Sequence, residues 1–149
     1  GGNYEVIHHT QLIEELNKKG KLNLDNVIDG KITYHDACYL GRHNDIYESP
    51  RNVLQEVLNN GEIVEMEESR STSMCCGAGG GSMWHEINEG SRINVTRFEQ
   101  AMKTGADTVA TACSFCAIML DDAMKVKGQE NKMQVLDIAE LVAKGLPKN

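Results

Sequence analysis

The stretch Cys75-Cys76-Gly77-Ala78-Gly79-Gly80-Gly81 places two adjacent cysteines directly before a glycine-rich loop. Cys38 lies as far before Cys75 as Cys113 lies after Cys76, and a last cysteine follows in the run Cys113-Ser114-Phe115-Cys116. These positions account for all five cysteines of the chain. The pattern predicts that the five side chains meet at one inorganic site.

The length and composition indicate a single globular domain. A chain of 149 residues, of which 40% are hydrophobic, is enough for one hydrophobic core. The net charge is −7, and no segment concentrates lysine and arginine with interleaved aromatic residues, so we expect no nucleic-acid partner. No apolar run approaches the roughly 18 residues that favour a membrane span. We therefore expect this chain itself to make no membrane contact.

After a first helix over residues 10–19, strand and helix patterns alternate along the chain. Strand patterns, rich in β-branched and apolar residues, cover 31–35, 63–66, 107–112 and 133–136. One helix pattern begins at Ser49-Pro50, two more cover about 89–104 and 114–127, and a capping box at 137–140 begins a last helix that runs through Lys144. The alternation predicts an α/β fold, with a Rossmann-like, open, mostly parallel four-stranded sheet flanked by helices. We expect residues 1–30 to form an N-terminal helix and linker, and residues 31–149 to form the cysteine-bearing domain.

The cysteines follow three successive strands of the predicted sheet. Cys38 follows the first strand, the pair at 75–76 follows the second, and Cys113 and Cys116 follow the third. Because strand ends that precede a helix lie on the same edge of an open parallel sheet, the topology brings these loops to one crevice. We therefore predict cysteine loops at the carboxyl edge of the sheet.

Several thiolates in one crevice repel one another and need compensating positive charge or hydrogen-bond donors. Helix N-termini supply free N–H groups and lower the pKa values of nearby cysteines. Gly77, Gly79 and Gly80 allow the backbone N–H groups of the loop to approach sulfur without a side-chain clash. Four side chains near the motif could add positive charge: His35, Arg42, His43 and Arg70.

The residues leave three kinds of site open. The glycine loop lacks both the last glycine of G-x-G-x-x-G and a Gly-Lys-Ser/Thr ending, so it does not predict a phosphate loop. An odd cysteine count, with opening residues unlike a secretory signal, favours reduced thiols in the cytoplasm over a disulfide framework. The alternatives are an iron–sulfur cluster, a zinc-binding structural or docking module, and a metal-free dithiol pair at Cys113 and Cys116.

Three segments resemble the CCG (cysteine-rich) domain family, which occurs in heterodisulfide reductases and related iron–sulfur oxidoreductases. They are Tyr34-His35-Asp36-Ala37-Cys38-Tyr39-Leu40-Gly41-Arg42, then Met74 to Gly81, then Gly105 to Cys113. The resemblance spans about residues 30–145, and its detail is most similar to the C-terminal CCG domain of membrane iron–sulfur oxidoreductases linked to electron-transfer flavoprotein. Many members have proline where this chain has Ala37 and Ser114, but neither position is a ligand.

The resemblance implies a redox domain that carries a noncubane [4Fe–4S] cluster, with zinc in some members. Its ligands by position are Cys38, Cys75, Cys76, Cys113 and Cys116. It also implies electron transfer between electron-transfer flavoprotein and a quinone, or to a disulfide. With one CCG unit and no ferredoxin-type cysteine run, we expect the chain to be one domain of a longer oxidoreductase. Its partners are then the other domains of that protein, which would hold it at the cytoplasmic side of a membrane.

Overall fold

The computed structural model describes residues 1–24, 28–85 and 90–147. The helices are α1 (His9–Lys18), α2 (Glu48–Val57), α3 (Ile93–Lys103), α4 (Ser114–Val126) and α5 (Ile138–Gly145). The strands are β1 (Lys31–His35), β2 (Glu62–Ile63), β3 (Thr108–Thr111) and β4 (Gln134–Asp137). Short 3₁₀ helices cover Arg70–Thr72 and Gly79–Trp84. Within the described ranges, no helix combines the length and the apolar character needed to cross a bilayer.

The four strands form one parallel sheet in the order β2-β1-β3-β4, which confirms the predicted α/β class. The chain runs outward from β1 to β2, then crosses back to place β3 on the other side of β1. The strand order therefore reverses between β1 and β3, and an open sheet leaves a crevice at the carboxyl ends of the strands at such a point. Cys38 follows β1 and Cys113 follows β3, so the topology puts two cysteine loops at this crevice.

Alternate residues of the central strands face two hydrophobic clusters, one on each side of the sheet. Ala110 packs in a cluster with residues of α2 and α5, whereas Val109 packs with residues of α3 and α4. Every residue of β3 is buried, as expected for a central strand with helices on both faces. His35 pairs in register with Thr111, two residues beyond Val109, so it faces the α3–α4 side of the sheet.

Several predicted element ends shift by a few residues for identifiable reasons. The first helix, predicted over 10–19, begins one residue earlier, because the side chain of His8 caps it and accepts from the backbone N–H of Thr10. Strand β2 covers only Glu62–Ile63, shorter than the predicted 63–66, and Glu65 beyond it is a hydrogen-bond partner of the buried Arg51. The capping box at Asp137 is confirmed. The predicted start of the third helix, at about residue 89, lies outside the described residues.

A buried ion pair fixes the segment between β1 and Cys38. Arg51 of α2 donates two parallel hydrogen bonds to the Asp36 carboxylate, from Nη1 to Oδ1 at 2.8 Å and from Nη2 to Oδ2 at 2.9 Å. The same guanidinium donates through Nε to Glu65 at 2.5 Å, and Asp36 Oδ2 also accepts from the backbone N–H of Arg70 at 2.7 Å. These contacts join α2, the end of β1 and the segment that leads to the cysteine pair.

We expect Arg51→Met to lower the free energy of unfolding by about 3–5 kcal/mol, because it leaves a buried carboxylate without its cation. Asp36 is only 5% exposed. The matched control is Lys125→Met, which breaks the exposed ion pair with Asp121 one turn away and should cost far less, because solvent screens that pair. Urea unfolding followed by circular dichroism measures both. Equal losses in the two variants would show that the buried pair does not stabilise this fold.

Candidate metal centre

Three loops carry the cysteines to the crevice between β1 and β3. Cys38 lies in the turns after β1, and the pair at 75–76 lies between the two 3₁₀ helices. Cys113 is the N-cap residue of α4, and Cys116 lies in the first turn of that helix. Cys38, Cys113 and Cys116 line one cavity of about 580 Å³ at the carboxyl edge of the sheet.

Two cysteines from different loops bring their sulfur atoms close to each other. Cys116 Sγ lies 3.3 Å from Cys76 Sγ, too far for a disulfide bond and close enough for a thiol hydrogen bond. The backbone N–H of Gly77 donates to Cys75 Sγ, also at 3.3 Å. All five cysteines are free thiols. The structure therefore brings cysteines that are distant in the sequence to a common edge, and their side chains are available as ligands.

Hydrogen bonds between these thiols lower the pKa of some of them and raise the pKa of another. The contact with Cys116 lowers the pKa of Cys76, and the hydrogen bonds to Cys113 and Cys76 raise the pKa of Cys116. The contact with Cys116, assisted by backbone N–H groups at the start of α4, lowers the pKa of Cys113 to about 6. Burial raises the pKa of Cys38, and the charges of the cysteine pair raise it further. The backbone N–H groups at the start of α4 thus add to the effect of Cys116 on Cys113, whereas Cys38 lies in turns, outside the N-termini of the described helices.

The glycines of the loop differ in what the backbone requires of them. Gly77 has φ +92°, and a Cβ atom there would lie 3.2 Å from the backbone nitrogen of Asn94. Gly80 has φ +65°, in the left-handed region, with open space around it. Gly79 has neither a positive φ nor a neighbour within 4 Å of an added Cβ. The conformation therefore depends on glycine at Gly77 and Gly80, and not at Gly79.

A buried histidine and a buried arginine stand behind the cysteines. A ring nitrogen of His35 and the sulfur atoms of Cys76 and Cys116 all lie within 4.8 Å of one another. Arg97 of α3 is 0% exposed and donates through Nε to His35 Nδ1 at 3.0 Å. Burial lowers the pKa of His35, which favours its neutral form. Arg97 was not identified as a site residue from the sequence. Its position next to the buried Phe98 and four residues before Ala101 places it on the inner face of α3, which is the signal that could have found it.

A protein-family model described as "Cysteine-rich domain", named CCG, matches residues 32–121, which covers β1, the three cysteine loops and the first part of α4. The chain belongs to the cysteine-rich CCG domain family. The match confirms the resemblance that the cysteine spacing and the three local segments indicated.

Several relatives of this CCG chain are much longer proteins. "Probable iron-sulfur-binding oxidoreductase FadF" of Bacillus subtilis is 45% identical over 95% of the chain and 20% of its own length. "EtfAB:quinone oxidoreductase" of Syntrophomonas wolfei is 40% identical over 98% of the chain and 21% of its length. One subunit of the dihydromethanophenazine:CoB–CoM heterodisulfide reductase of Methanosarcina barkeri is 37% identical over 96% of the chain and 34% of its length. The chain thus spans a fifth to a third of these relatives.

We expect Gly77→Ala to destabilise the metal-free CCG chain by about 1–3 kcal/mol, because alanine must adopt a strained backbone conformation there. Gly79→Ala in the same loop is the control and should change the free energy of unfolding by less than about 1 kcal/mol. Chemical denaturation of the two variants gives the comparison. A larger loss for Gly79→Ala would contradict the backbone geometry of the loop.

In the metal-free, reduced chain we expect Cys113 to be alkylated at lower pH than Cys38. The thiolate is the reactive form, so the rate for Cys113 should rise through about pH 6, while the raised pKa of Cys38 delays its reaction to alkaline pH. Iodoacetamide labelling at a series of pH values, with peptide mass spectrometry, resolves the two sites.

Cys116→Ala serves as the control for the origin of this difference. It removes the thiol that hydrogen bonds to Cys113, so the Cys113 profile should move to higher pH while the chain retains its other thiols. An unchanged Cys113 profile would show that the contact with Cys116 does not control this pKa.

Proposed function

We propose that this chain is an iron–sulfur redox domain of a larger oxidoreductase, and that its cluster is a noncubane [4Fe–4S] cluster. The proposed ligands are Cys38, Cys75, Cys76, Cys113 and Cys116. The glycine loop, through Gly77, Gly79 and Gly80, would surround the cluster with backbone N–H groups. In this proposal residues 31–149 form the cluster-binding unit, and residues 1–30 form its helix and linker.

The observation that carries the proposal is the convergence of free thiols from three loops at one crevice. Cys76 and Cys116 approach to 3.3 Å, and Cys38, Cys113 and Cys116 line a cavity of about 580 Å³. Soft thiolate ligands suit iron–sulfur clusters and zinc. A structural zinc ion takes four ligands, so a zinc site would leave one of the five cysteines over. The complete donor set therefore favours the cluster.

The surroundings of the thiols also suit a group that holds them in the ionised form. The pKa of Cys113 is lowered to about 6, and that of Cys76 is lowered as well, so these thiols lose their protons readily. The N–H of Gly77 donates to Cys75 Sγ, and the buried guanidinium of Arg97 lies behind the site. When bound, the cluster would supply one-electron redox chemistry, and these groups would offset the negative charge of its ligands.

The likeness to the longer relatives supports a place for this domain in an electron-transfer chain. The relatives are described as oxidoreductases or as part of a heterodisulfide reductase, and a further one as "Probable membrane-anchored ferredoxin". We propose that the longer oxidoreductase containing this chain, its parent protein, transfers electrons between electron-transfer flavoprotein and a quinone, or to a disulfide. Other domains of that parent would be its direct partners and would bring it to the cytoplasmic side of a membrane.

We expect the chain, reconstituted anaerobically, to bind about four iron and four sulfide ions and to show an EPR signal in one redox state. Cys75→Ser and Cys76→Ser should each lower cluster occupancy, because each removes one thiolate. Ser114→Ala, which neighbours Cys113 and removes no sulfur, is the control and should keep full occupancy. Metal and sulfide analysis together with EPR spectra measure the outcome.

One result would contradict the redox function, and another would contradict only the ligand assignment. Stoichiometric zinc without sulfide, even after reconstitution, would support a zinc-stabilised structural or docking module instead. A full cluster spectrum in both serine variants would overturn the ligand assignment and leave the redox role standing.

A further inference from the structure

His35 lies at the end of β1, is 1% exposed, and has no role yet in the proposed cluster site. One of its ring nitrogens lies within 4.8 Å of the sulfur atoms of Cys76 and Cys116. A histidine in this position can act either as a metal ligand through a nitrogen lone pair or as an N–H donor to sulfur. The protonation of the two ring nitrogens decides between these roles.

Arg97 fixes that protonation. Its Nε lies 3.0 Å from His35 Nδ1, and a guanidinium group only donates hydrogen bonds. Nδ1 must therefore carry the lone pair, which makes the ring neutral and places its single proton on Nε2. A metal-bound histidine shows the opposite arrangement, because its nitrogen remote from the metal donates to a carboxylate, a carbonyl or water.

The guanidinium of Arg97 is itself held in place on several sides. Its Nη2 donates to Ser73 Oγ at 3.0 Å, and its Nη1 donates to the carbonyl of Glu68 at 2.9 Å and to Gln100 Oε1 at 2.6 Å. Ser73 lies two residues before Cys75, so the arginine connects α3, the segment before the cysteine pair and the end of β1. These contacts leave Nε directed at the histidine.

We propose that Arg97 is a positioning residue that holds His35 as a hydrogen-bond donor, through Nε2–H, to Cys76 Sγ. This rests on the proposed cluster function. Hydrogen bonds to the sulfur atoms raise the reduction potential of iron–sulfur clusters, because the donor stabilises the reduced form, in which the sulfur atoms carry more negative charge. The pair therefore excludes histidine ligation and raises the potential of the centre.

The test is a double-mutant cycle on the reconstituted chain, with the midpoint potential read by EPR-monitored redox titration. His35→Phe and Arg97→Met should each lower the reduced-to-oxidised ratio at fixed potential about tenfold, which equals about 59 mV for a one-electron couple. In the His35→Phe background, Arg97→Met should lower the potential less than it does beside His35, since only the loss of the guanidinium charge remains. Gln100→Leu removes another partner of Arg97 without touching the histidine, and it should leave the potential unchanged.

If Arg97→Met does not fold, Arg97→Lys serves in its place, because it keeps the charge and loses the Nε donor. It should lower the potential in the His35 background and have no effect in the His35→Phe background. An equal effect of the arginine substitution in both backgrounds would overturn the proposal, since Arg97 would then act through its charge alone. An unchanged potential in His35→Phe would overturn it as well.

A second readout does not depend on the cluster. Long-range ¹H–¹⁵N NMR of the reduced, metal-free chain should show His35 as the Nε2–H tautomer, and Arg97→Lys should shift it toward a mixture of tautomers. The Nδ1–H tautomer in the unaltered chain would overturn the proposed contact. If the chain takes up zinc without sulfide, the cluster function fails while the tautomer result still tests the Arg97–His35 contact separately.

Discussion

The bidentate contact between Arg51 and Asp36 holds together the parts of the chain that carry the cysteines. Asp36 lies between the end of β1 and Cys38, and its carboxylate also accepts the backbone N–H of Arg70, on the path to the cysteine pair. A charge pair this deeply buried is costly to desolvate, so its contribution depends on complete partners and close geometry. Here each carboxylate oxygen has a donor within 2.9 Å. The loops before two cysteine groups are therefore anchored to the same ion pair.

The sheet topology explains why the site is at this edge. The reversal of strand order between β1 and β3 leaves a crevice, and the loops after these two strands carry Cys38 and Cys113. The contact with Cys116, assisted by backbone N–H groups at the start of α4, then lowers the pKa of Cys113. The parallel topology thus creates the crevice and brings to it thiols that are remote in the sequence, and the helix terminus contributes N–H donors there.

The sequence predicted what depends on local patterns and missed what depends on distant contacts. The strand–helix alternation, the capping box at Asp137 and the delivery of cysteine loops to one edge follow from short-range periodicity and the rules of parallel sheets. The ion pair of Glu65 with Arg51 does not, because its partner lies on another element. The role of Arg97 was also hidden, since its acceptors lie on His35, Ser73 and Glu68, all far from it in the chain.

The buried charge of Arg97 bears on the nature of the site. A guanidinium that is 0% exposed is destabilised by desolvation, and burial lowers its pKa. The negative charges of Asp36 and Glu68 offset part of this, and ionised Cys116 would add to them. A group that keeps the thiols ionised would therefore stabilise the arginine, and the arginine would stabilise that group. In the proposed arrangement the intervening histidine presents a proton rather than a lone pair, so the electrostatics would favour a centre bound by sulfur alone, with nitrogen acting only as a donor.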